Sequence, residues 1–172
     1  MNLNKRVLYF GLLFLGLNLS VACKMSVSLS GATIDPRAAT ISIATFPNQA
    51  TLIKSTLSQD FTNTLKDKFQ SQTSLSITDR NGDYQLEGEI VSYIVTPAVN
   101  QADQRAALNR LTITVNVRFK SRFDETKNFE ERFSRFVDYD SKLSFPSVEN
   151  ELVTEINKVL ADEIFKRALV NW

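Results

Sequence analysis

The sequence predicts an α+β domain of two layers, with two helices packed on one face of a largely antiparallel, four- to five-stranded sheet in the order β-α-β-β-β-β-α. Three observations carry this prediction. Leu57, Phe61, Leu65 and Phe69 recur every fourth residue, one stripe of an amphipathic helix. Residues 111–119 alternate strictly between apolar and polar side chains, the period of a strand with one packed face and one wet face. Leu152, Val153, Ile156, Val159, Leu160, Ile164 and Phe165 then trace a wide apolar stripe on a helix that runs from Val148 to Leu169.

Taken in order, residues 40–46 alternate β-branched and small side chains up to Pro47, a short first strand. Ser55 suits the N-cap of the first helix, with Asp60 early and Lys66 and Lys68 late, matching the helix dipole. Asn81-Gly82 between residues 75–78 and 84–87 predicts a two-residue hairpin that sets Ile77 opposite Leu86. The second of these strands continues through Ile90 and Ile94 and stops at Pro97. Residues 99–107 are polar and read as a loop before the clear strand at 111–119. Phe129, Phe133 and Val137 predict a return strand, on which Arg135 falls on the apolar face and implies a bulge or an edge position. Pro146 marks the start of the last helix, with Glu149, Glu151 and Glu155 early and Lys166 and Arg167 late.

The 172 residues contain no His and a single Cys. Without imidazole there is no Ser-His-Asp triad, Cys-His pair or His-ligated metal. One thiol likewise excludes structural zinc and an intramolecular disulfide, so no metal site is expected. A formal net charge of +1 gives no reason to expect a nucleic-acid partner.

At the amino terminus, Lys5-Arg6 precede an apolar run over residues 7–19, interrupted by Asn18, and then Ser20-Val21-Ala22-Cys23. This is the tripartite pattern of a secretory signal. The run falls short of the roughly 20 apolar residues a spanning helix needs. Small residues directly before Cys23 resemble the lipobox of bacterial lipoproteins, although Ser20 stands where that motif usually has Leu. The resemblance implies cleavage before Cys23 and acylation of its sulfur; the alternative is an ordinary signal peptide with an incidental Cys. Residues 1–22 are thus read as a signal peptide, 23–38 as a lipidated N-terminus and Ser-rich tether, and 39–172 as one α+β domain. A covalent lipid on Cys23 is the one non-protein group expected, with no other cofactor.

Several constellations carry residues that could do chemistry. Residues 79–83 have the oxygen spacing that opens a calcium loop, but Tyr84 and Ile90 stand where an EF-hand needs Gly and Glu. Glu87 with Glu89, and Asp138 with Asp140, each share a strand face, without a nucleophile or metal ligand beside them. Between Gln104 and Arg122 five bases occur without an acid, and Arg110, Arg118, Lys120 and Arg122 all lie at even positions, on the polar face of the best strand. Such a row could meet a phosphorylated or otherwise anionic ligand, since guanidinium groups match phosphate geometry. A hairpin that sets Phe133 opposite Phe119 or Val117 would instead put Glu130 opposite Arg122 or Lys120, so cross-strand pairing accounts for part of the row. The last helix carries more acid than base on its polar face, the wrong sign for anionic lipid.

Residues 56–59 and 65–69, Leu86-Glu87-Gly88-Glu89-Ile90 and residues 107–117, with the lipobox, the terminal helix and the closing Asn171-Trp172, resemble the LptE-family lipoproteins of Bacteroidota. The resemblance implies an outer-membrane lipoprotein facing the periplasm, seated in the β-barrel protein LptD, that helps place lipopolysaccharide in the outer leaflet without catalysing a reaction. It also implies helices on one sheet and contact with lipopolysaccharide through basic surface residues, for which Arg110, Arg118, Lys120 and Arg122 are the candidate anionic-lipid contacts. A lipoprotein adaptor of another envelope or secretion complex is the competing reading, and an exported carboxylate-dependent enzyme a remote one.

Overall fold

The computed structural model describes residues 31–52, 54–98 and 108–170. The signal peptide, Cys23, the 99–107 loop and Asn171-Trp172 lie outside these residues. Five strands, β1 (Thr40–Ile43), β2 (Ser76–Thr78), β3 (Tyr84–Ala98), β4 (Leu108–Ser121) and β5 (Phe129–Asp140), form one sheet in the order β2-β1-β3-β4-β5. Helices α1 (Leu57–Gln72) and α2 (Phe145–Leu169) cover one face. The α+β class and the element order are as the sequence predicts.

The long pairs β3-β4 and β4-β5 are antiparallel, whereas β1 runs parallel to both of its neighbours. A parallel neighbour needs a crossover, and α1 supplies it between β1 and β2. The helical stripe Leu57, Phe61, Leu65 and Phe69 is fully buried. Phe46 meets Phe61, and Phe69 meets Phe165, each edge-to-face with ring centroids 5.2 Å apart. These contacts knit α1 to the sheet and to α2.

Asn81-Gly82 is not a hairpin turn. Asn81 takes a φ of 56° and Gly82 does not share it, so the two left-handed residues of a type I′ turn are absent. The chain instead steps from β2 across β1 to reach β3. A Cβ on Gly82 would lie 2.4 Å from the Ser42 nitrogen and 2.7 Å from the Ile41 carbonyl carbon. Glycine is needed for this close approach of two backbones. Asp83 completes the crossing: its Oδ2 accepts from the N–H of Ala39 (3.0 Å) and Thr40 (3.1 Å) and from Thr40 Oγ1 (2.8 Å). Those bonds hold its carboxyl below the usual carboxylate range.

Other differences have local causes. A register shift between Ile90 and Ser92 inserts one residue into β3 and reverses its alternation, so Tyr93 turns inward and Ile94 outward. In the β4-β5 pair Phe129, not Phe133, faces Phe119, and Glu130 lies opposite Arg118. The register is continuous at Arg135, which sits on the edge strand and reaches Glu163 of α2. Thr56 rather than Ser55 is the N-cap of α1; Asp60 lies in its first turn as expected, but its last turn carries no base. In α2, Val159 is exposed and Asn157 buried in its stead.

Asn157 Oδ1 has no hydrogen-bond partner. A buried, unpaired carbonyl oxygen costs about 1–3 kcal/mol. Asn157→Leu, of similar volume and better helix propensity, is therefore expected to stabilise the fold by about 1 kcal/mol, raising the melting midpoint by roughly 3 °C in a thermal scan.

Residues 31–38, read from composition as part of the tether, lie against the domain. Ala32 bridges Val170, and Thr33 N–H donates to the Leu169 carbonyl at 2.6 Å, satisfying a carbonyl left open at the end of α2. Ala32, Ile34 and Ala38 pack on the core, which explains why the segment does not hang free. Among the described residues no helix is long and apolar enough to cross a membrane.

Candidate functional site

With both helices on one face, the other face of the sheet is left open. Strand alternation presents Arg110, Thr112, Thr114, Asn116, Arg118 and Lys120 from β4. It is flanked by Gln85, Glu87, Glu89, Ile94 and Thr96 of β3 and by Glu130, Arg132, Ser134, Phe136 and Asp138 of β5.

Each of the four bases singled out in the sequence meets an acid. Arg118 Nη2 lies 3.2 Å from Glu89 Oε2, and its Nη1 lies 3.8 Å from Glu130. Lys120 Nζ lies 3.7 Å from Glu87, and Arg122 Nη1 3.6 Å from Asp83. Arg110 grips Asp138 with two bonds of 2.7 and 2.8 Å and stacks its guanidinium 3.6 Å from the Phe136 ring centre. The partner of Glu130 is thus Arg118, not Arg122 or Lys120.

The row does not converge on one ligand. Arg118, Lys120 and Arg122 share the end of the sheet where β3 begins, whereas eight residues of extended strand put Arg110 roughly 27 Å from Arg118. Asn116 links the charged end across strands: its Nδ2 donates to Glu89 Oε1 (3.1 Å) and its Oδ1 accepts from Arg132 Nε (3.1 Å). Beyond a Thr114–Ser134 hydroxyl pair at 2.8 Å, Ile94, Thr112 and Phe136 stand in register across three strands, the two apolar side chains about half exposed. This second half is not among the expectations drawn from the sequence. The parity of Phe136, opposite to Phe133 and Val137, carried the signal for it, while the bulge that turns Ile94 outward had no local signature.

The carboxylate pairs are engaged as well. Hydrogen bonds from Asn116 and then Arg118 hold Glu89 below its ordinary pKa, and the Arg110 bonds do the same for Asp138. A general acid needs the opposite shift. Asp140 accepts the Lys142 N–H. Among the described residues no group of three or more His, Cys, Asp or Glu side chains could hold a metal ion.

The direction of these shifts predicts a pH dependence. A carboxyl whose folded pKa is depressed contributes stability that is fully present above its unfolded pKa, near 4.3 for Glu, and lost as pH falls through the folded value. Glu89→Gln is therefore expected to be less stable than wild type at pH 7, with the difference shrinking as the solution is acidified below the ordinary carboxylate range, checked by urea melts from neutral to acid pH.

Fold and face together define a two-layer α+β domain with one sheet surface left open by the helices. The comparisons make the class specific. The family model for LptE, lipopolysaccharide-assembly, matches residues 38–168, and the chain belongs to that family of lipopolysaccharide-assembly lipoproteins. Among solved structures, a minor lipoprotein from Acinetobacter baumannii is 14% identical, with 73% of this chain and 97% of that chain covered and a TM-score of 0.47. Rare lipoprotein B from Shewanella oneidensis is also 14% identical, with 73% and 91% covered and a TM-score of 0.47. A putative neuraminyllactose-binding hemagglutinin homolog from Helicobacter pylori shares the fold at a TM-score of 0.51, with 8% identity over 81% of this chain and 88% of that one. No curated protein sequence matches the chain.

Proposed function

We propose that this protein is an outer-membrane lipoprotein, anchored by a lipid on Cys23 after removal of residues 1–22, that faces the periplasm and acts without catalysis as plug and assembly partner of an LptD-type β-barrel. The family match over residues 38–168 carries this reading. An open sheet face of paired charges suits it, because the lumen of a membrane barrel is polar and a plug must satisfy it with polar groups. Occupying that lumen requires a stable domain and a complementary surface; it needs no turnover chemistry.

Affinity purification through the lipoprotein from envelope extracts tests the proposal. A large outer-membrane β-barrel is the expected partner, and recovery of soluble or inner-membrane partners alone overturns it in favour of an adaptor role. Metabolic labelling with a fatty-acid probe tests the anchor: wild type is expected to label and Cys23→Ser to remain dark. Contact with lipopolysaccharide is a separable part. Replacing Arg110, Arg118, Lys120 and Arg122 with Ser is expected to weaken lipopolysaccharide binding while leaving the fold intact by circular dichroism.

A further inference from the structure

The described chain begins at one pole of the domain. Ala32 bridges Val170 at the end of α2, Asp35 N–H donates to the Tyr84 hydroxyl at the start of β3, and Lys127 Nζ reaches the Thr33 carbonyl at 3.4 Å. Seven residues separate Cys23 from Gly31, and the eight Cα–Cα steps between them, fully extended, reach about 28 Å. The length of β3 puts the opposite pole, where β5 leads into α2, roughly 45 Å away. A domain standing on that opposite pole would lift Gly31 beyond the reach of a lipid on Cys23. A lipid on Cys23 would thus hold the pole at residue 31 toward the bilayer.

Its surface charge is sorted by depth. Phe123 lies between two guanidinium groups, with Arg37 4.7 Å and Arg122 5.7 Å from its ring centre. The side chains of Arg37 and Arg122 are 65% and 69% exposed, whereas those of Asp35 and Asp83 are 17% and 14% exposed. Asp35, Asp83 and Asp124 are turned inward onto backbone donors, whereas Glu125 is exposed. Asp83 holds the Ala39 and Thr40 N–H groups, Asp124 Oδ1 accepts from Thr126 N–H at 3.1 Å, and Asp35 Oδ1 accepts from Arg37 N–H at 2.9 Å. Asp35 also binds the Arg37 guanidinium, which holds its pKa at about 2. Arg122 Nη1 stands 3.6 Å from Asp83, longer than a hydrogen bond. Beside the exposed Glu125, Arg37 and Arg122 are the two exposed bases of the pole.

We propose that this pole is a lipid-facing surface, on which Arg37 and Arg122, braced around Phe123, bind the phosphates of anionic phospholipid headgroups beside the anchor. Guanidinium groups match phosphate geometry and lie well at a membrane interface next to an aromatic ring. The inference rests on the reading of Cys23 as the acylated residue.

The test uses the full acylated chain in vesicles, in which Cys23 is consumed by lipid and an introduced cysteine is the one free thiol. A fluorophore is placed by Thr126→Cys at this pole or Ser141→Cys at the other, with nitroxide carried on the lipid headgroups. In phosphatidylglycerol vesicles the Thr126 probe is expected to be quenched several-fold more than the Ser141 probe. That excess is expected to fall in phosphatidylcholine vesicles and in an Arg37→Gln, Arg122→Gln variant of unchanged circular dichroism. Equal quenching at both positions, or an excess indifferent to lipid charge and to both arginines, overturns the proposal while leaving the anchor reading intact. Fatty-acid labelling of the same preparation reports on Cys23 separately. If it is unlabelled, the anchor reading fails, and flotation of the chain with phosphatidylglycerol vesicles decides the pole: no arginine-dependent flotation overturns it.

Discussion

Gly88→Ala is expected to destabilise the fold by about 3 kcal/mol and to lower the melting midpoint by roughly 10 °C. Gly88 lies on the helix-facing side of β3, between Leu86 and Ile90. A Cβ there would stand 2.0 Å from the Asn116 carbonyl oxygen of β4 and 2.5 Å from Cε1 of Phe46. The first neighbour is backbone in the middle of the β3-β4 ladder, where Gly88 pairs with Val117 and Glu89 with Asn116, so it yields only if the ladder opens. A thermal melt by far-ultraviolet circular dichroism reads the effect, and an unchanged midpoint would mean that the strands do not approach so closely.

Phe46→Ala is expected to cost about 3–5 kcal/mol, the range for emptying a fully buried aromatic site. Phe46 is the residue by which the chain leaving β1 is pinned to α1. Its N–H donates to Thr62 Oγ1 at 3.1 Å and its carbonyl accepts from Ser58 Oγ at 2.6 Å. Its ring fills the space over Gly88 and meets Phe61 edge-on. The two substitutions form a cycle with a defined answer. In the Phe46→Ala background, Gly88→Ala escapes the ring but still meets the Asn116 carbonyl, so its cost is expected to shrink without vanishing. Urea unfolding of the four proteins measures it, and complete relief would show that the ring alone had excluded a side chain at position 88.

What the sequence made legible follows the range of the interactions involved. The strict alternation of residues 111–119 and the four-residue rhythm of Leu57 to Phe69 are local, and both appear as β4 and the buried stripe of α1. Asn81-Gly82 misled because a turn signal within one stretch of chain cannot report that β1, more than thirty residues earlier, lies between the strands it joins. Ile94 misled because the inserted residue at Val91 changes parity without any Gly or Pro to mark it. On the open face, the basic row of β4 was plain from even positions alone. Its partners were half hidden: Phe119, Phe129 and Phe133 offer several apolar alignments, and the structure pairs the first two. Asn116, which ties Glu89 to Arg132, looks in sequence like any polar residue on a wet strand.

The crossing at Gly82 also has a mechanical meaning. β1 is gripped on both sides, by β2 and by β3, and its first residues are held by the Asp83 carboxylate. All its neighbours run parallel to it, so tension applied to the chain ahead of residue 31 pulls β1 along its own axis once the Ala32–Val170 bridge has given way. In that geometry the bonds of two ladders bear the load together and do not unzip one after another. The end of the domain at which a lipid tether would pull is therefore built to resist force in shear.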